Sequence, residues 1–212
     1  NLQIKLQKIR NQKFNPKNFI IADAKDGDLA QGIATPGPQR DSQGKIIKSY
    51  KKLNDYKKAI TQMTKSELVD IMLMSASVGE DLIQKKLFKK SKVTPAIRLN
   101  DTSDIWLMRN GSYRSTHPRP FRSPRLEKIS KLVSLGLFSV TFSNNVDFDL
   151  AMLNAYRDFR IEASKYKLQH FLEVFNPPID VGIKARDMGN YVNDCIIKAI
   201  AGQTKDERPL FL

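Results

Sequence analysis

The chain has 212 residues, 41% of them hydrophobic and 27% charged, a balance that suits one ordinary soluble globular domain and excludes a disordered one. Its net charge is +14, but no zinc-finger spacing, RNP signature or basic-plus-heptad pattern accompanies that charge, so neither a nucleic-acid module nor a bilayer-spanning run of roughly 20 apolar residues is expected. One cysteine, Cys195, excludes an internal disulfide and a zinc site of its own, and the reducing cytoplasm is the expected compartment.

In chain order, Asn1 to Arg10 is basic and lacks the apolar core of a secretory signal. The first short apolar run, Phe19 to Ala22, ends in Asp23-Ala24-Lys25-Asp26-Gly27-Asp28. A long loop, Gly27 to Gly44, precedes a helix over Tyr50 to Met63. The second run, Val69 to Met74, ends in Ser75-Ala76-Ser77, and a helix over Glu80 to Phe88 follows. The third, Val93 to Ile97, ends in Arg98-Leu99-Asn100-Asp101 and opens a second long loop, Asp101 to Pro124. Arg125 to Leu135 reads as a helix. The fourth run, Leu137 to Phe142, ends in Ser143-Asn144-Asn145 ahead of a longer helix over Phe148 to Lys167. The fifth, His170 to Leu172, runs into Glu173, and Met188 to Ala201 is a last helix with Gly202 as its cap. A sixth run opens at Pro209.

Short, near-continuously apolar strands alternating with helical periodicity predict parallel βαβ units with both sheet faces covered. The expected fold is therefore a single α/β domain over residues 1–212. Its type would be a (β/α)8 TIM barrel read as incomplete: about five βα units plus the start of strand 6. An eight-stranded barrel needs roughly 250 residues, so a longer parent or a second copy that closes the sheet is expected.

In such a barrel the carboxyl ends of the strands form the active-site face, and the clusters named above become candidate site residues. Asp23, Lys25 and Asp26 lie close enough in sequence to perturb one another, which suits proton transfer or imine chemistry. Glu173 is embedded in an apolar strand, where a carboxylate needs either a task or a cationic partner such as an Arg from another strand. Arg98 has the planar fork that matches an anionic group, and Asp101, Ser75 and Asn144 stand at strand ends with polar atoms for a substrate. Ser75 and its neighbours serve equally well as helix N-caps. His117 and His170 lack ligand-like spacing, so no metal is expected. Cys195 reads as a small core residue. The lysines, among them Lys45, Lys48, Lys85, Lys86, Lys89, Lys90 and Lys92, read as a solvated face.

Together, the first-strand motif, Asp70-Ile71-Met72-Leu73-Met74-Ser75-Ala76-Ser77, Asn100-Asp101-Thr102-Ser103-Asp104-Ile105-Trp106, Arg119-Pro120-Phe121-Arg122 and Phe171-Leu172-Glu173-Val174-Phe175 resemble a family of bacterial class I aldolase-like (β/α)8 proteins, relatives of the class I fructose- and tagatose-bisphosphate aldolases. The resemblance implies Schiff-base carbon–carbon lyase chemistry on a phosphorylated or anionic sugar. Asp23 and Glu173 would be its acid/base groups, it would need no cofactor, and the nucleophilic lysine would lie just beyond Leu212. The alternative is a non-catalytic sugar-phosphate-binding or scaffold protein derived from such a barrel. The expected partner is a small anionic sugar, with neither nucleic acid nor membrane; association into a homo-oligomer stays open.

Overall fold

The computed structural model describes residues 1–212. The chain is a mixed α/β protein whose elements, in order, are α1 (Leu2–Arg10), β1 (Ala22–Lys25), α2 (Asp28–Gln31), β2 (Pro38–Arg40), β3 (Ile46–Tyr50), α3 (Leu53–Ser66), β4 (Ile71–Met74), α4 (Ala76–Gln84), β5 (Thr94–Arg98), β6 (Asp101–Thr102), β7 (Pro120–Phe121), α5 (Leu126–Ile129), β8 (Leu135–Thr141), α6 (Val146–Lys165), β9 (Gln169–Phe175) and α7 (Met188–Ala201). Five strands form one sheet in the order β1-β4-β5-β8-β9. The pairs β1/β4, β4/β5 and β8/β9 are parallel. No helix is long and apolar enough to cross a membrane.

The expected TIM barrel does not form. β1 and β9 are the two ends of the strand order and do not pair with each other, and two further antiparallel pairs, β2/β3 and β6/β7, stand apart from that sheet. Local alternation of strand and helix specifies parallel units. Closure additionally demands a matched tilt and stagger through the whole ring, which no local pattern encodes.

The chain makes two compact units, residues 1–97 and 98–212, with the division inside β5. In the first, β4 is buried along its whole length and carries the core with Ile60 of α3 and Val78 and Leu82 of α4. Gly79 allows α4 close approach to β5, since a Cβ there would meet Ile97 Cδ1 at 2.2 Å. α1, which has no place in the predicted set, buries Leu2 and Leu6. It is tied down by Lys5, whose Nζ donates to Asp70 Oδ2 at 2.6 Å and to the Phe19 carbonyl at 2.8 Å. Asp70 Oδ2 also accepts the Ile21 N–H at 2.9 Å. β1 lies further along than the apolar run suggested. Phe19 is exposed, and the strand comprises Ala22, Asp23, Ala24 and Lys25. As a sheet edge, β1 needs no continuous apolar sequence. The first predicted long loop, Gly27 to Gly44, contains α2 and β2, and the β2/β3 hairpin, turned at Gly44 with φ +82°, carries β3 beyond the loop's expected end.

In the second unit all seven residues of β8 are buried. Phe138 packs on Phe159 and Tyr156 of α6, with ring centres 4.4 and 5.1 Å apart. The helix predicted over Arg125 to Leu135 is only the single turn α5. The predicted sixth strand is not one, although Leu210 N donates to the His170 carbonyl, Leu172 N donates to the Phe211 carbonyl, and Phe211 stacks on Phe171. The second long loop contains β6 and β7. Trp106 fills its interior edge-on between Tyr113 and Phe121.

Candidate functional site

Each unit gathers polar side chains at strand carboxyl ends. In the first unit, strand alternation puts Asp23 and Lys25 on one face of β1, half-buried, with the exposed Ala22 and Ala24 on the other. Their register partners on β4 are Met72 and Met74, both fully buried, so the pair stands beside apolar neighbours. Lys25 Nζ donates to Asp23 Oδ1 at 2.7 Å, and the two side chains keep 28% and 15% of their surface. The other carboxylate oxygen, Asp23 Oδ2, is buried without a hydrogen-bond partner. Asp26 follows and is buried.

Asp28 opens α2, and its Oδ2 accepts the Ser75 hydroxyl at 2.6 Å. Its Oδ1 is also buried and unpartnered. Ser75 is the N-cap of α4, accepting the Val78 N–H; it serves both as a cap and as a donor to a strand-end acid. Tyr56 of α3 completes the group: a Cβ on Gly27 would lie 4.0 Å from its hydroxyl. Burial pushes this phenol well above its ordinary value of 10, and the charge of Asp28, then of Asp26 and Asp23, adds to the effect. Tyr56 is thus held neutral, a donor beside three carboxylates. Nothing in its helical position singles it out in the sequence.

In the second unit Arg98, the last residue of β5, is almost wholly buried, with 6% of its side chain exposed. Its Nη1 donates to Ser139 Oγ at 2.6 Å and its Nη2 to Glu173 Oε2 at 3.2 Å. Ser139 Oγ donates in turn to the same Glu173 oxygen at 2.9 Å. Parallel register sets Ser139 of β8 opposite Glu173 of β9. Asn100 locks the middle of this chain. Its Oδ1 accepts the Ser139 N–H at 2.6 Å and its Nδ2 donates to the Ser139 carbonyl at 2.8 Å. Glu173 keeps 37% of its side chain open. The anion that Arg98 holds is thus the chain's own Glu173. Ser139 is the residue that sequence reasoning passed over; a serine inside an otherwise apolar strand is the signal that marks it.

The remaining expected site residues have other surroundings. Asp101 is buried on β6, and its Oδ1 accepts the Thr102 N–H. Asn144, at φ +54°, donates its side-chain amide to the Val181 carbonyl and its N–H to the Tyr191 hydroxyl. It therefore anchors the chain near α7. Beside it, His117 Nδ1 lies 3.0 Å from Ser143 Oγ and stacks on Phe148, while Asp149 Oδ1 accepts from Ser143 N. His, Ser and Asp are neighbours here in the wrong order for a nucleophilic triad, because the carboxylate touches the serine and not the imidazole. Burial pushes the Cys195 thiol up, away from thiolate character. No three His, Cys, Asp or Glu side chains are grouped to hold a metal ion.

Comparison with protein-family models and with curated proteins found no match to either. The resemblance to class I aldolase-like barrels is therefore overturned: the strands do not close into the barrel that defines that family, and no relative links the chain to it.

Proposed function

We propose that this chain is a lyase-type enzyme. Its amine and carboxylate side chains, set at the carboxyl ends of parallel strands, act on a small hydroxylated anion of the sugar-phosphate kind. One observation carries the reading: an amine and a carboxylate 2.7 Å apart, both reachable from solvent, with the second carboxylate oxygen unused. Open α/β sheets bind ligands at this end of their strands.

The Lys25 ammonium first loses a proton to solvent; the free amine adds to a substrate carbonyl, and loss of water with uptake of one proton leaves a protonated imine. Asp23 takes the proton from the hydroxyl β to that carbon. The carbon–carbon bond breaks, and its electron pair moves to the imine nitrogen as an enamine. Protonation and hydrolysis return the free amine. Tyr56, held neutral, suits the donor for the departing water.

The test is reductive trapping. The full chain is treated with dihydroxyacetone phosphate and sodium borohydride, then digested and weighed. A reduced adduct on Lys25, lost in Lys25→Met, is expected; no adduct there overturns the reading. A second reading is a sugar-phosphate-binding protein without turnover. It is favoured by the pairing of Lys25 with Asp23, which holds the amine as an ammonium and not as a free nucleophile, and it predicts saturable binding of the same compound with no adduct.

A further inference from the structure

The lysine run after α4, which reads as a solvated face in the sequence, has a concave counterpart in the first unit. A cavity of about 400 Å³ lies where α3 ends and where the chain runs from α4 into β5. Four of the residues around it are Lys65, Lys86, Lys89 and Lys90. None of the four makes an ion pair. The one acid on the wall, Glu67, is already occupied: its Oε1 accepts the Lys92 N–H at 3.0 Å and its Oε2 lies 3.4 Å from Lys92 Nζ. The cavity therefore has four uncompensated positive charges and a neutralised negative one.

A second observation is independent of charge. Thr64, also on the wall, is completely buried, and its hydroxyl has no hydrogen-bond partner. An idle buried hydroxyl costs stability unless something uses it. Lysines at helix C-termini complement the helix dipole. That accounts for Lys65 near the end of α3, but not for Lys86, Lys89 and Lys90, which lie beyond the last residue of α4.

We infer that this cavity is a binding site for the di- or polyphosphate group of a small molecule. Its volume falls in the range of small-ligand sites, and a phosphate chain can meet several ammonium groups at once. By topology it belongs to the helix-to-strand loops, at the amino ends of β4 and β5. It is thus separate from the strand ends that carry Lys25, and the inference does not depend on the lyase reading.

The probe is inorganic pyrophosphate, titrated into the full chain and followed by calorimetry and phosphorus NMR. Saturable binding is expected. Lys65→Gln combined with Lys89→Gln should weaken it about tenfold, with the fold verified by circular dichroism. Lys65→Arg with Lys89→Arg should retain most of it. Lys45→Gln with Lys48→Gln, which removes the same charge from the hairpin region, should leave it unchanged. Three results would each overturn the inference: no saturation in the millimolar range, an equal loss in the hairpin variant, or tighter binding of a single-stranded oligonucleotide than of pyrophosphate.

Discussion

The two strand-end clusters are built from the same residue types and differ in how completely their polar atoms are used. In the second unit Arg98, Ser139, Asn100 and Glu173 lock one another through five hydrogen bonds of 2.6 to 3.2 Å that tie β5, β8 and β9 together. In the first unit, on an edge strand, Asp23 Oδ2 and Asp28 Oδ1 are buried with nothing to accept from. A fully satisfied buried network rigidifies a fold, and a partly satisfied one leaves chemical capacity at a cost in stability. The first cluster is therefore where chemistry is expected. The second is where the fold gains order, with the open side of Glu173 as its link to solvent.

Substitutions in the two clusters should have unequal effects. The largest effect should fall on turnover: Asp23→Asn should lower it by about 10²–10⁴ if Asp23 transfers the proton, with stability changed by less than about 1 kcal/mol. Equal losses in Asp23→Asn and Glu173→Gln would make the two clusters equivalent in chemistry.

The next effect belongs to the second unit and to pH. Burial lowers the His170 imidazole from 6.5 to about 4, and its Nε2 lies 2.9 Å from the Tyr156 hydroxyl. The unfolded chain takes up a proton as pH falls below 6.5, while the folded chain resists until about 4. Stability should therefore drop across that window by about 3 kcal/mol. Denaturant melts from pH 7 to pH 4 should show this excess slope, and His170→Gln should remove it.

Arg98→Ala should cost about 3 kcal/mol in the same melts, the low end for a broken buried pair because Glu173 reaches water. Lys25→Ala should cost less than about 1 kcal/mol; the reverse ranking would invert the comparison. Gly79→Ala in the first unit should cost about 1 kcal/mol, since only the flexible tip of Ile97 must move. Thr64→Val should be neutral or slightly stabilising in the absence of ligand, because the hydroxyl it removes has no partner.

Particular residues show why some of this was legible in the sequence. β4, β5 and β8 were, because burial on both faces forces continuous apolar runs such as Ile71–Met74. α6 and α7 were, through their 3.6-residue periodicity. β1 was displaced by three residues, because an edge strand bears no such demand and the exposed Phe19 imitates one. The pairing of Glu173 with an arginine from another strand was one of two expectations for a carboxylate in an apolar run. Tyr56 and Ser139 emerged only once α3 and β8 were in place.

Local chemistry alone marked the buried strands β4, β5 and β8, the helices α6 and α7, the parallel sense of the main strands, and the carboxylates and cations that collect at their ends. The tertiary structure alone decided that the strands remain an open row and not a ring. It also decided that Arg98 is occupied by Glu173 and that four scattered lysines share one cavity. The physical reason is range. Periodicity and turn chemistry act over a few residues, whereas closure, ion pairing across strands and the shape of a cavity depend on segments tens of residues apart.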